Sequence, residues 1–203
     1  MEKQKYAAIV LAAGSGKRMN SQVHKQYLII QDRPVLYYSL KEFEDSAVDE
    51  IVLVVGKGEE EFCRREIVDK YGISKVKAIV EGGKERYHSV FEGLKQTSDA
   101  DYVLIHDGAR PFVNQDIIRR CMLEVPEYQA CVVGMPVKDT IKIADEEGYA
   151  KQTPDRKNVW MIQTPQTFSY ALIYEAYEEM LKTEDAAITD DAMVLERIKG
   201  KKS

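Results

Sequence analysis

The sequence is poor in the features that would assign it to several large classes of protein. It has only three cysteines, Cys63, Cys121 and Cys131. Their odd number, without CxxC or paired histidine spacing, argues against a disulfide framework or a zinc site. This cysteine usage predicts a reducing, cytoplasmic environment. The apolar run at residues 7–13 is too short for a signal peptide core or a membrane span, so we expect no membrane association.

A surplus of basic residues is also absent. The chain has 29 Lys and Arg against 34 Asp and Glu, a formal net charge of −5, whereas proteins that coat nucleic acid usually carry the opposite balance. No nucleic-acid partner is therefore expected. An anionic substrate stays possible, because the local field of a cleft matters more than the summed surface charge.

Short apolar runs rich in β-branched residues alternate with amphipathic stretches along most of the chain. This alternation is typical of βαβ units. It predicts a single α/β domain over residues 1–203, with a Rossmann-like, doubly wound and mostly parallel sheet. The predicted strands are residues 6–12, 50–55, 76–80, 102–106 and 130–134. The predicted helices are residues 35–44, 59–71, 87–97, 116–124, 170–182 and about 190–199, the last two capped by Ser169 and Thr189.

A different pattern follows the fifth predicted strand. Residues 137–143 alternate apolar and polar side chains and precede the turn-like sequence Asp145-Glu146-Glu147-Gly148. The pattern predicts a protruding β-hairpin at about residues 137–163, here called the arm. Because an isolated two-stranded ribbon is only marginally stable in water, we expect the arm to pack against a second copy of the chain in a homodimer.

A glycine-rich turn follows the first strand and reads Leu11-Ala12-Ala13-Gly14-Ser15-Gly16-Lys17-Arg18-Met19. Such a turn lets backbone N–H groups approach a phosphate. A Walker A loop is excluded, because it requires a glycine in place of Leu11 and a Ser or Thr in place of Arg18. The dinucleotide fingerprint and the G-x-S-x-G elbow do not fit either. With Lys25-Gln26-Tyr27 soon after it, the turn is a candidate polyphosphate site.

These two segments resemble the signature of the 2-C-methyl-D-erythritol 4-phosphate cytidylyltransferase family. Further segments agree in chain order, namely Gly82-Gly83-Lys84-Glu85-Arg86, His106-Asp107-Gly108-Ala109-Arg110-Pro111, Pro136-Val137-Lys138-Asp139-Thr140, Asp155-Arg156, Gln163-Thr164-Pro165-Gln166 and Ile188-Thr189-Asp190-Asp191. The resemblance implies a nucleotidyltransferase-type fold. It also implies a reaction of CTP with a sugar-alcohol phosphate, 2-C-methyl-D-erythritol 4-phosphate, that gives the CDP-linked product and pyrophosphate in non-mevalonate isoprenoid biosynthesis.

The resemblance further implies roles for individual residues. Arg18 and Lys25 would be catalytic and stabilise charge on the α-phosphate, and Asp107 would hold Mg²⁺ at the triphosphate. The implied nucleotide-binding residues are Ala12, Ala13, Gly14, Ser15, Gly16, Gly83, Ser89 and Asp107. The implied residues for the second substrate are Arg110, Thr140, Arg156, Thr164 and Thr189, with Thr140 and Arg156 reaching across from the arm of the partner subunit. His106 is expected to be a packed residue at the end of its strand.

Other interpretations stay open at this level. A ribitol 5-phosphate cytidylyltransferase would share the fold, the nucleotide and the loop, although Gly108-Ala109 and Thr153-Pro154-Asp155-Arg156 favour methylerythritol phosphate. A sugar-1-phosphate nucleotidyltransferase using UTP or GTP and a non-catalytic nucleotide-binding regulator are further alternatives. Members of the family usually continue with a strand bearing an Asn-Ile-Lys motif and a terminal helix, so we expect this 203-residue chain to bind CTP but turn over slowly.

Overall fold

The computed structural model describes residues 3–14, 24–183 and 188–200. Its strands are β1 (Tyr6–Ala12), β2 (Ile29–Ile30), β3 (Arg33–Pro34), β4 (Glu50–Val55), β5 (Val76–Glu81), β6 (Tyr102–Asp107), β7 (Ala130–Pro136), β8 (Ile143–Ala144), β9 (Ala150–Gln152) and β10 (Trp160–Ser169). The central sheet has the order β5-β4-β1-β6-β10-β7. Strands β5, β4, β1 and β6 are parallel, and β10 is antiparallel to both its neighbours. The predicted α/β fold with a mostly parallel sheet is confirmed.

Helices cover both faces of this sheet. They are α1 (Val35–Asp45), α2 (Glu60–Cys63), α3 (Arg86–Leu94), α4 (Gln115–Tyr128), α5 (Tyr170–Thr183) and α6 (Asp191–Lys199). Successive side chains of a strand point to opposite faces, so Val10 of β1 joins one buried cluster with Leu36 of α1, and Ile9 joins the other with Tyr177 of α5. Strands buried on both faces explain the continuous apolar runs of the sequence.

The helix predicted over residues 59–71 is present over residues 60–71, although its middle, Arg64–Asp69, is π-helical. One predicted helix cap is wrong. Helix α6 is capped by Asp190, whose side chain accepts a hydrogen bond from the N–H of Met193, and not by Thr189. The two residues are adjacent and both are suitable caps, so the sequence alone does not distinguish them.

Strand β10 is missing from the sequence-based prediction, although it lies inside the sheet between β6 and β7. Its sequence contains Pro165, which lacks a backbone N–H and is therefore unfavourable in a central strand. The proline lies where the register between β10 and β7 shifts, between Ile162 and Gln166. The irregularity removes the need for a hydrogen bond from residue 165, which is why the strand tolerates it.

The arm contains the hairpin of β8 and β9, and its turn is as predicted. The Asp145 side chain accepts hydrogen bonds from the N–H groups of Glu147 and Tyr149, and Gly148 has a φ of 89°. Residues 137–142, however, are not in a strand. The N–H of Val137 donates instead to the carbonyl of Val159. Residues 160–162 belong to β10 and pair with the end of β7.

None of the helices in the described ranges is long and apolar enough to cross a membrane.

Candidate functional site

The carboxyl ends of β1, β5 and β6 meet at one edge of the sheet, which is where open α/β folds bind ligands. Asp107 is the last residue of β6 and stands opposite Leu11 of β1 in the register. Ala12, the final residue of β1, is buried, and Ala13 and Gly14 follow it towards solvent. The start of the glycine-rich turn, Ala13-Gly14, and Asp107 therefore leave the sheet side by side.

Two arginines hold the carboxylate of Asp107. Nε of Arg86 donates to Oδ1 at 3.2 Å, and Nε of Arg110 donates to Oδ2 at 3.0 Å. Burial opposes ionisation of Asp107, but the charges of Arg86 and Arg110 outweigh that effect and hold its pKa below the ordinary value. Asp107 is therefore a half-buried, ionised carboxylate at neutral pH.

Arg86 is itself held by a second carboxylate, from α6. Its two terminal nitrogens donate to the two oxygens of Asp191, each at 2.8 Å, which is the bidentate geometry that arginine favours. Asp191 is fully buried. The hydroxyl of Tyr177 donates to Asp191 at 2.5 Å, and burial followed by the nearby Asp191 charge raises the pKa of Tyr177, so that this hydroxyl stays protonated. Helix α6 thus fixes the arginine that contacts Asp107.

The side chain of Gln166 orients the start of α6. Its Oε1 accepts hydrogen bonds from the N–H groups of Asp191 and Ala192, each at 3.0 Å, and its Nε2 donates to Asp190 at 3.2 Å. The glutamine is buried in the central strand β10. It therefore supplies partners for helix N–H groups that have none within the helix.

His106 is completely buried, as expected for a packed residue at the end of its strand. Its Nε2 lies 3.1 Å from the carbonyl oxygen of Arg110, which can only accept, so Nε2 carries the hydrogen. Burial lowers the pKa of His106 to about 4, which leaves the ring neutral at pH 7. The hydroxyl of Thr164 consequently donates to Nδ1 at 3.0 Å and accepts from the N–H of Asp107 at 3.2 Å.

The predicted nucleotide-binding residues around Gly83 form a close contact between two loops. A Cβ built on Gly82 would lie 2.5 Å from Cβ of Ala13 and 2.6 Å from Oγ of Ser89. The N–H of Gly83 donates to the Ser89 hydroxyl at 3.1 Å. Glycine at position 82 therefore allows the loop after β5 to touch the turn after β1.

Lys25 lies in a 3-10 helical turn, Lys25–Tyr27, and its side chain is exposed. The next residue, Gln26, is 3% exposed, and its Nε2 donates to the carbonyl of Ala12 at 2.5 Å. This bond ties the turn that carries Lys25 to the end of β1. Arg18, Ser15 and Gly16 lie outside the described residues.

The structure brings only some of the predicted second-substrate residues together. Arg110 and Thr164 contact Asp107 directly. Thr140 and Arg156 are exposed on the arm, where Arg156 donates to the carbonyl of Lys138 at 2.9 Å. Neither is hydrogen-bonded to Asp107 within the described part of the chain. Thr189 is exposed just before α6, and its hydroxyl lies 3.8 Å from the sulfur of Met193.

Four residues of this network are missing from the predicted site: Arg86, Gln166, Tyr177 and Asp191. Arg86, Gln166 and Asp191 lie in segments that carry the family resemblance, so the sequence could have indicated them. It could not have indicated that Arg86 pairs with Asp191, because these two residues are 105 positions apart. Tyr177 belongs to the apolar face of α5 and looks like an ordinary core residue.

Asp107 is the described residue of this edge that could hold a magnesium ion. Such ions are usually held by one or two carboxylates together with substrate phosphates and water. Each Asp107 oxygen accepts one arginine N–H and retains further acceptor capacity. The described residues contain no group of three or more His, Cys, Asp and Glu that could hold a metal, so phosphate oxygens and water would complete the coordination.

The profile of the 2-C-methyl-D-erythritol 4-phosphate cytidylyltransferase family matches residues 6–203. A protein of that name from Lachnoclostridium phytofermentans is 52% identical over 193 residues, covering 95% of this chain and 83% of the relative. Another from Lachnospira eligens is 54% identical over 192 residues, covering 94% and 84%. The crystal structure of 4-diphosphocytidyl-2C-methyl-D-erythritol synthase from Anaerococcus prevotii superposes with a TM-score of 0.84 at 34% identity, over 97% of this chain and 83% of that one.

Proposed function

Because the chain belongs to the 2-C-methyl-D-erythritol 4-phosphate cytidylyltransferase family, we propose that the carboxyl edge of its sheet joins CTP to 2-C-methyl-D-erythritol 4-phosphate. The chain is a nucleotidyltransferase of isoprenoid biosynthesis. The observation that supports this edge as the site is the ionised Asp107 between Arg86 and Arg110. Relatives that are about 50% identical in sequence are named 2-C-methyl-D-erythritol 4-phosphate cytidylyltransferase, which favours this acceptor over ribitol 5-phosphate.

The reaction requires positioning and charge stabilisation more than proton transfer. A phosphate monoester has a second pKa of about 6, so its attacking oxygen is largely deprotonated near neutral pH and needs no general base. That oxygen forms a bond to the α-phosphorus of CTP, the bond from this phosphorus to the bridging oxygen breaks, and pyrophosphate leaves. The protein must bring two anions together in line and neutralise their charge.

Each proposed residue serves one of these tasks. Lys25, on the turn tied to Ala12, and Arg18 stabilise the charge that develops on the α-phosphate. Arg110 binds the phosphate of the second substrate, for which its planar group is suited. When bound, Mg²⁺ would neutralise the triphosphate, and Asp107 would hold it. The contact of Gly82 with Ala13 supports a narrow pocket for the cytosine base beside these groups.

A homodimer through the arm is also part of the proposal. Large apolar side chains along the arm and its base are exposed, including Tyr149 at 70% and Trp160 at 55%. Several large exposed apolar side chains in one segment favour a protein contact that covers them. A second copy would cover it and bring Thr140 and Arg156 to the site of its partner. The free cysteines support a reducing, cytoplasmic location.

The test is a pyrophosphate-release assay with CTP and two acceptors, 2-C-methyl-D-erythritol 4-phosphate and ribitol 5-phosphate. We expect release with the first acceptor and a fall in kcat of about 10²- to 10³-fold for Asp107→Asn, the loss typical of a group that stabilises a charged transition state. Asp116→Asn is a matched control, because Asp116 is exposed on α4. Binding of CTP without pyrophosphate release, or preference for ribitol 5-phosphate, would contradict the proposal.

A further inference from the structure

Glu59 contacts both sides of the short turn that carries Lys25. Its Oε1 lies 3.0 Å from Nδ1 of His24, the residue before the turn. Its Oε2 accepts a hydrogen bond from the hydroxyl of Tyr27, the last residue of the turn, at 2.8 Å. One carboxylate thus bridges the two ends of a three-residue helix. We infer that Glu59 is the positioning residue that orients Lys25 for catalysis, an inference that rests on the proposed role of Lys25.

The direction of the hydrogen bonds follows from the protonation of the partners. Burial raises the pKa of Tyr27 far above its ordinary value and that of the Cys63 thiol to about 11. Both groups therefore keep their hydrogens at neutral pH. Because a carboxylate can only accept, the tyrosine donates to Glu59, and the thiol, 3.1 Å away, donates to the tyrosine oxygen.

Glu59 is also fixed to the sheet. Its Oε2 accepts the N–H of Gly56 at 3.0 Å, in the loop that directly follows β4. The middle of the Lys25 turn is fixed separately, since buried Gln26 donates to the carbonyl of Ala12 at the end of β1. The turn is therefore held at three points against two neighbouring parallel strands. Its lysine side chain is the part that remains exposed.

Such anchoring matters because a long, flexible lysine stabilises a transition state only if its backbone origin is fixed. A displacement of about 1 Å in a catalytic group can lower the rate by 10²-fold. Loss of Glu59 removes one contact at each end of the turn and leaves the bond of Gln26 and the contact of Tyr27 with Cys63. We expect Glu59→Ala to lower kcat roughly 10- to 100-fold, with little change in CTP binding, because the proposed role of Lys25 is in the transition state.

A second variant moves the carboxylate without removing it. A Cβ on Gly56 would lie 2.6 Å from Oε2 of Glu59, so Gly56→Ala displaces the end of that flexible side chain. It should lower kcat in the same range as Glu59→Ala. Glu61→Ala is the matched control, because Glu61 is an exposed acidic residue in the first turn of α2, two positions after Glu59, and it should keep the wild-type kcat.

A double-mutant cycle separates positioning from a general structural effect. If Glu59 acts through Lys25, Glu59→Ala should change kcat by less than about twofold in a Lys25→Ala background. Hydrogen exchange of the peptide containing Tyr27 and Leu28, whose N–H groups close the turn, gives a readout independent of activity. It should be faster in Glu59→Ala, while exchange in β1 is unchanged.

The outcomes distinguish the inference from the proposed function. If Glu59→Ala lowers kcat by the same factor with and without Lys25, or if hydrogen exchange in the turn is unchanged, the positioning role is overturned. The proposed enzyme function is not affected by either result. A wild-type kcat that Lys25→Ala does not alter overturns the role of Lys25, and the inference with it. Non-additive losses together with faster exchange confined to the turn establish the inference.

Discussion

Replacing Asp191 with asparagine tests the buried ion pair beneath the site. Asp191 is fully buried and accepts two hydrogen bonds from Arg86 and one from Tyr177. Asparagine keeps the size of the side chain but removes the charge and one acceptor. Arg86 would then be left with Asp107 as its charged partner.

The expected loss of stability in Asp191→Asn follows from the burial of this ion pair. Removing one partner of a buried ion pair costs about 3–5 kcal/mol, because a charge is left uncompensated. The side chain of Arg86 is 32% exposed and keeps its contact with Asp107, so water and that carboxylate offset part of the loss. We therefore expect Asp191→Asn to lower the free energy of unfolding by about 2–3 kcal/mol. For a chain of this size, this corresponds to a fall in Tm of about 5–10 °C.

Urea unfolding followed by far-UV circular dichroism measures the free energy of unfolding. Asp116→Asn is again a matched control, because Asp116 lies in the first turn of α4 and pairs with Arg119 and Arg120 on the surface. Exposed pairs contribute about 0–1 kcal/mol. Equal effects of the two substitutions would refute the reasoning from burial.

Two further predictions concern His106 and Gly82. The pKa of His106 is about 4 in the folded chain, below the ordinary value of about 6.5. As the pH falls, the unfolded state therefore binds a proton before the folded state does. The free energy of unfolding should decrease from about pH 6.5 downwards. Between pH 7 and about 4.5, the free energy of unfolding, measured with urea, should fall by about 2–3 kcal/mol more in the wild type than in His106→Gln. Parallel pH profiles of the two proteins would contradict the lowered pKa of His106. Gly82→Ala should raise KM for CTP roughly tenfold, because its Cβ would lie 2.5 Å from that of Ala13, and an unchanged KM would exclude this loop from the nucleotide pocket.

The sequence predicts the parallel part of the sheet well because its strands are buried on both faces. Residues 6–12 and 50–55 are apolar throughout or nearly so, and the observed strands have the predicted limits. The antiparallel β10 gives a weaker signal, since Pro165 and two glutamines interrupt its apolar pattern. What identifies it as a strand is pairing with β6 and β7, which is a property of the fold and not of its local sequence.

The same distinction applies to the site. Asp107 could be predicted because it directly follows a buried strand, at the edge where parallel strands place ligands. The pair of Arg86 on α3, which contacts Asp107, and Asp191 on α6, which holds Arg86, could not be predicted, because the two residues lie far apart in sequence. Glu59 has no local signature either, since it is one of three successive glutamates. Its contacts with His24, Tyr27 and Gly56 are what set it apart from its neighbours.

Strand β10 belongs both to the base of the arm and to the proposed site. Its first residues, Trp160–Ile162, pair with β7 at the base of the arm, and a few residues later Thr164 and Gln166 bind His106 and the start of α6. The base of the arm and the interior of the proposed site therefore lie on one continuous stretch of backbone. A second copy packed on the arm, as proposed above, would be coupled to the geometry around Asp107 through this strand, without an intervening relay of side chains.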